Sequence, residues 1–111
     1  MKLITAIIKP FKLDDVRAVL SKLGRITTVT EVKTHSPHRG GTETYRGSDH
    51  AAGFIPKIKI EVVVRDEELE KALEVVRRAA ITGHLGDGRI FVWSVEKAVR
   101  ISTGESDESV L

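Results

Sequence analysis

A chain of 111 residues, 41% apolar and 31% charged, carries enough hydrophobic material for one modest core, which excludes a disordered chain and a fibrous one. Eighteen basic against sixteen acidic residues leave a formal charge of +2, too weak a bias to argue for nucleic acid as a partner. Cysteine is absent, so disulfides and thiolate metal sites are excluded; no apolar run reaches the ~20 residues of a membrane-crossing helix, and Met1-Lys2-Leu3-Ile4 lacks the apolar region of a signal peptide, so a cytoplasmic location is expected.

Residues 3–9 form an apolar run of strand length stopped by Pro10, which predicts a strand buried on both faces. From Leu13 to Leu23 the apolar residues Leu13, Val16, Val19, Leu20 and Leu23 fall on one helical stripe. Asp14 and Asp15 suit the first turn of that helix, and Gly24 suits its C′ position. Ile26 to Lys33 is β-branched and largely alternating, hence a strand with one wet face.

Periodicity then stops. Residues 34–53 hold four glycines, one proline and few apolar side chains, and an insertion of this length in a small domain points to an exposed functional loop. A strand resumes from Ile55 to Val64. Asp66 is the expected N-cap of a second helix whose stripe is Leu69, Ala72, Leu73, Val76, Ala79 and Ala80, with Glu67, Glu68 and Glu70 at its positive end. Next comes the glycine-rich stretch 82–89, Thr-Gly-His-Leu-Gly-Asp-Gly-Arg, which has two readings. Either Gly83 caps the helix while Gly86 and Gly88 serve a tight turn, or the loop turns its N–H groups inward around a phosphate, with Arg89 adding a fixed positive charge. A last strand runs from Ile90 to Val95, and residues 102–111 read as a polar tail.

The order β-α-β-β-α-β predicts a single α+β domain of the ferredoxin-like kind, two split βαβ units with both helices on one sheet face. Three of the four strands are apolar at both parities, so the second face needs a cover. Another copy of the chain is the expected cover, and with it a homo-oligomer.

Six blocks carry a resemblance to one family. They are residues 1–15, residues 28–33 (Thr-Val-Thr-Glu-Val-Lys), Tyr45-Arg46-Gly47, Pro56-Lys57 with Ile60-Glu-Val-Val-Val64, residues 82–89, and residues 99–105 (Val-Arg-Ile-Ser-Thr-Gly-Glu). Together, and in this order, they closely resemble the nitrogen-regulatory PII signal-transduction proteins over nearly the whole chain. The resemblance implies a cytoplasmic regulator that is not an enzyme, with a ferredoxin-like fold and a trimeric assembly. It implies ATP or ADP in clefts between subunits, and a long loop that docks on targets such as an ammonium or other transporter or a metabolic enzyme. Carried over by position, it places Gly86, Asp87, Gly88 and Arg89 at the nucleotide phosphates, with Arg100 reaching them, and Ile7, Thr28 and Val63 at the adenine and ribose. Lys57 matches a lysine that pairs with the carboxylate of 2-oxoglutarate, and Arg46 an arginine that enters ammonium-transporter pores.

The departures from that pattern are informative. His38 stands where the family has the glutamine that holds Mg²⁺ with 2-oxoglutarate, which leaves Mg²⁺ open and weighs against 2-oxoglutarate, since Mg²⁺ prefers oxygen ligands. Bicarbonate or another small anion is the alternative effector. His50 stands where the modified loop tyrosine is found, Tyr45 matches a different family tyrosine, and Ser48 matches a serine phosphorylated in some relatives. Ser102 replaces a second phosphate-binding arginine, which favours ADP and AMP relative to ATP. His35, His38 and His50 share the loop without any ligand spacing that defines a metal site, so none is assigned. An RNA-binding module of this topology needs aromatics on the central strands, where Ile4, Ala6, Ile58, Ile60 and Val62 stand. A phosphohydrolase of the acylphosphatase type needs an asparagine, and the chain has none.

Overall fold

A computed structural model of the chain describes residues 1–23, 28–35, 44–45, 48–49 and 53–111. Gly24, Ile26, His38, Arg46 and His50, all singled out in the sequence, lie outside the described residues.

Strands β1 (Lys2–Ile8), β2 (Thr28–His35), β5 (Phe54–Val64) and β6 (Gly88–Ser94) form one sheet in the order β2-β5-β1-β6. Every neighbouring pair is antiparallel. β1 and β2 are joined through helix α1 (Leu13–Lys22) with β5 between them, and β5 and β6 through α2 (Leu69–Ala80) with β1 between them. These are two interleaved split βαβ units, the expected ferredoxin-like α+β topology. Two short strands, β3 (Thr44–Tyr45) and β4 (Ser48–Asp49), pair inside the long loop, Tyr45 opposite Ser48.

The core lies between one sheet face and the two helices. Ile4, Ala6 and Ile8 of β1 and Ile58, Ile60, Val62 and Val64 of β5 are buried against Val16 and Leu20 of α1 and Ala72, Val76 and Ala80 of α2. Alternation along the strands puts Leu3, Ile7, Val63, Phe91 and Trp93 on the opposite face. There Leu3, Ile7 and Val63 are half-buried, while Phe91 and Trp93 on the edge strand β6 are exposed. The expectation that the first strand is buried on both faces is met fully on the helix side, while on the other, among the described residues, Leu3 and Ile7 stay half-buried. Thr5 on that face is buried, and its hydroxyl donates to Glu61 Oε2 at 3.1 Å.

Three local expectations are corrected. Asp66 does not cap α2: it begins a 3-10 turn (Asp66–Glu68) whose N-cap is Arg65, and the Glu68 carboxylate accepts the Arg65 N–H at 3.1 Å. The Asp66 carboxylate instead pairs with the Met1 amine at 2.7 Å, because β1 lies beside β5 and brings the chain start to the end of that strand. The long loop is entered later than expected, since Thr34 and His35 still pair with Ile55 and Phe54, and the His35 and Phe54 rings meet at 5.1 Å. Residues 102–111, expected as a tail, fold back: Val99 bridges Ser106, Arg100 N–H donates to the Glu105 carbonyl at 2.8 Å, and Asp107–Val110 make a 3-10 turn.

Candidate functional site

The glycine-rich loop lies between α2 and β6. α2 ends because Ile81 turns extended while its N–H still donates to the Arg77 carbonyl. Gly83 has positive φ but sits two residues past that cap, so it is not the capping residue of the first reading.

What closes the loop is Asp87. Its carboxylate accepts the N–H groups of Thr82 (2.9 Å) and Gly83 (3.0 Å) and the Thr82 hydroxyl, and it pairs with Lys9 Nζ at 3.2 Å. The Thr82 oxygen in turn accepts from Lys9 Nζ at 3.2 Å and from the His84 N–H at 3.1 Å. The hydrogen bonds from Thr82, then from Gly83 and Lys9, hold the Asp87 carboxyl well below the usual carboxylate range. Asp87, expected among the phosphate contacts, is thus the loop's internal brace. An ionised carboxylate would repel a phosphate directly, but it fixes the backbone that could receive one.

Two lysines lie under the loop. Lys57 is buried on β5 and donates to the Gly86 carbonyl. A Cβ placed on Gly86 would stand 3.5 Å from Lys57 Nζ and 3.8 Å from Lys9 Cε, so both side chains pass beneath that residue. Gly88 is constrained more tightly. It opens β6 opposite Ile8 with φ +111, and a Cβ there would fall 1.8 Å from the Ile7 carbonyl oxygen. Only glycine lets the loop enter the sheet at this point. Arg89 follows, exposed, directly opposite Ile7.

The expected site residues that are described divide into four groups within one chain. Ile7, Lys57 and residues 86–89 gather at the glycine loop. Val63 shares a face with Ile7 but pairs with Leu3, four residues along β1, or about 13 Å away at ~3.3 Å per residue. Thr28, exposed on the edge strand β2, pairs with Glu61, next to Val63 on the same face. Arg100 belongs to the C-terminal hairpin, with Nε 3.3 Å from Glu105 Oε1 and Nη2 3.5 Å from the Ser109 carbonyl. Tyr45 and Ser48 are register partners in the β3–β4 pair, while His38 and Arg46 lie outside the described residues.

Sequence reasoning missed Lys9 and Thr82 as the partners of Asp87, and Glu105 as the partner of Arg100. A lysine at a strand end and a glutamate in a polar stretch carry no periodic or spacing signal. Among the described residues, no group of three His, Asp or Glu side chains is arranged to hold a metal, and no helix is long and apolar enough to cross a membrane.

The family model described as Nitrogen regulatory protein P-II matches residues 1–105. Similar proteins include nitrogen regulatory protein GlnK of Escherichia coli, 49% identical, and nitrogen regulatory protein P-II of Rhizobium etli, 51% identical, each aligned over 112 positions that cover all of both chains. Nitrogen regulatory protein P-II of Pasteurella multocida is 51% identical over 113 positions, again covering both chains in full. All three are named as regulators and none as an enzyme.

Proposed function

The chain belongs to the P-II family of nitrogen regulatory proteins, and from that premise we propose that it works as a trimeric sensor of adenine nucleotides that controls a protein target through residues 34–53. The nucleotide phosphates sit on the glycine loop. The N–H groups of Thr82, Gly83 and His84 are taken up inside the loop, so the phosphates are met by the N–H groups of Leu85 to Asp87, with Arg89 beside them. The single observation that carries this reading is the braced loop: its shape is held by contacts within the chain, by Asp87 from inside the loop and by two lysines from beneath. Preorganisation of this kind lowers the ordering cost of binding.

The division of the expected nucleotide residues into three groups, the glycine loop, Val63 with Thr28, and Arg100, supports a cleft completed by a second copy, which would bring Thr28, Val63 and Arg100 of one protomer to the loop of the next. The sheet face away from the helices, where Phe91 and Trp93 are exposed and Leu3, Ile7 and Val63 half-buried, supports the same assembly. ADP, and AMP with it, binds at least as well as ATP, because Ser102 leaves the site one cation short for the outermost phosphate. A small anion such as bicarbonate takes the place of 2-oxoglutarate, because His38 replaces an amide ligand. The target is a transporter or a metabolic enzyme met in the cytoplasm or at the membrane surface.

Titration calorimetry with ATP, ADP, AMP, 2-oxoglutarate and bicarbonate tests this reading. The expected result is ADP affinity equal to or above ATP affinity, with little gain from 2-oxoglutarate in the presence of Mg²⁺-ATP. Mutual enhancement of ATP and 2-oxoglutarate above about tenfold, or ~1.4 kcal/mol of coupling, would overturn the effector assignment. Absence of any nucleotide binding would overturn the whole reading.

A further inference from the structure

Arg100 is committed to a partner in the chain that carries it. The hairpin 100–105 is closed by two backbone bonds, Arg100 N–H to the Glu105 carbonyl and Gly104 N–H to the Arg100 carbonyl, both 2.8 Å. They set the two side chains across from each other. The Glu105 carboxylate is aimed by a second pair of bonds: Thr103 hydroxyl donates to Glu105 Oε1 at 3.0 Å, and the Thr103 oxygen accepts the Glu105 N–H at 3.2 Å. That same Oε1 lies 3.3 Å from Arg100 Nε. Both side chains of the pair are about half exposed, so solvent screens the pair and it opens readily.

We propose that Glu105 gates Arg100: it holds the guanidinium in an internal ion pair that an incoming phosphate has to displace, and it thereby lowers nucleotide affinity. The inference rests on the reading of Arg100 as a phosphate-binding residue. A phosphate makes charge-assisted, often bidentate, bonds to a guanidinium and carries more charge than one carboxylate, so it wins the exchange. Glu105 touches no phosphate. It is a positioning residue that acts through Arg100.

The test is calorimetric titration of the full-length protein with ADP, using Glu105→Gln, Arg100→Ala, the double variant and Glu108→Gln. Glutamine keeps the size and the acceptor for Thr103, so the hairpin is retained, which an unchanged melting temperature checks. Glu105→Gln is expected to tighten ADP binding about two- to fivefold, or ~0.4–1 kcal/mol, the range of an exposed ion pair. That gain is expected to vanish in the Arg100→Ala background, and Glu108→Gln to leave affinity unchanged. A merely structural Glu105 would give weaker binding on substitution, and that result overturns the gate. An equal gain from Glu108→Gln, or a gain that persists without Arg100, also overturns it, because the effect would then be bulk charge. If Arg100→Ala binds ADP as tightly as the parent, the reading of Arg100 itself fails and the gate fails with it. If Arg100→Ala weakens binding and Glu105→Gln changes nothing, only the gate fails.

Discussion

At the scale of single residues, Asp87 does the work that a glycine pattern conceals. Its carboxylate holds two backbone N–H groups, a hydroxyl and an ammonium, and its pKa is depressed by those bonds. A depressed folded-state pKa means a contribution that is complete above the ordinary aspartate value of about 4 and is lost only as pH falls through the lower folded value. The expected outcome is that the amide resonances of Thr82 and Gly83 stay in place as pH is lowered through about 4, where exposed aspartates titrate. Asp87→Asn should speed amide exchange at both residues. Two-dimensional NMR checks both, and a shift of the Gly83 amide with an ordinary aspartate midpoint would show that the brace is weaker than its geometry.

At the scale of elements, the junction of the loop with β6 is where sheet geometry and loop chemistry meet. Gly88 belongs to the β1–β6 ladder, and its missing side chain is what lets β6 start beside Ile7 and Ile8. Gly83 also has positive φ, yet a Cβ there would meet nothing within 4 Å. Gly83→Ala should therefore cost only the left-handed backbone penalty, about 1–2 kcal/mol, while Gly88→Ala adds a backbone clash beyond the ~1–3 kcal/mol of ordinary overpacking. Chemical denaturation of the two variants measures the difference, and equal stabilities would contradict the close approach at Ile7.

At the scale of the whole molecule, the sheet face away from the helices is the unfinished part. Trp93 is 59% and Phe91 46% exposed on an edge strand, where a lone chain gains nothing from aromatic residues. In the proposed assembly they lie against a neighbouring copy. Sedimentation of the parent is expected to give about three times the 12.2 kDa of one chain, and Trp93→Glu or Phe91→Glu to lower that mass and weaken ADP binding together. A parent that runs as a folded monomer, or a glutamate variant that keeps both its mass and its affinity, would contradict that placement.

The sequence by itself determined the order of elements, the helix stripes and the family. Each rests on local periodicity or on motif order, and neither needs a partner element to be read: Val16 and Leu20 on α1, or Ala72, Val76 and Ala80 on α2, declare their faces by spacing alone. Sequence order also singled out the glycine stretch as a candidate place for an anion, though not how the loop itself is braced. Only the tertiary structure decided that Lys9 and Lys57 converge under Gly86, that Gly88 is a steric necessity of the β1–β6 ladder, that Asp66 serves the chain start, and that Glu105 holds Arg100. The first three are contacts between segments from about twenty-nine to eighty residues apart, fixed by strand order and register. The fourth depends on a hairpin in a stretch whose composition reads as a tail. Pairing across a sheet and closure of a turn are set by backbone geometry, which leaves no period in the chain to read.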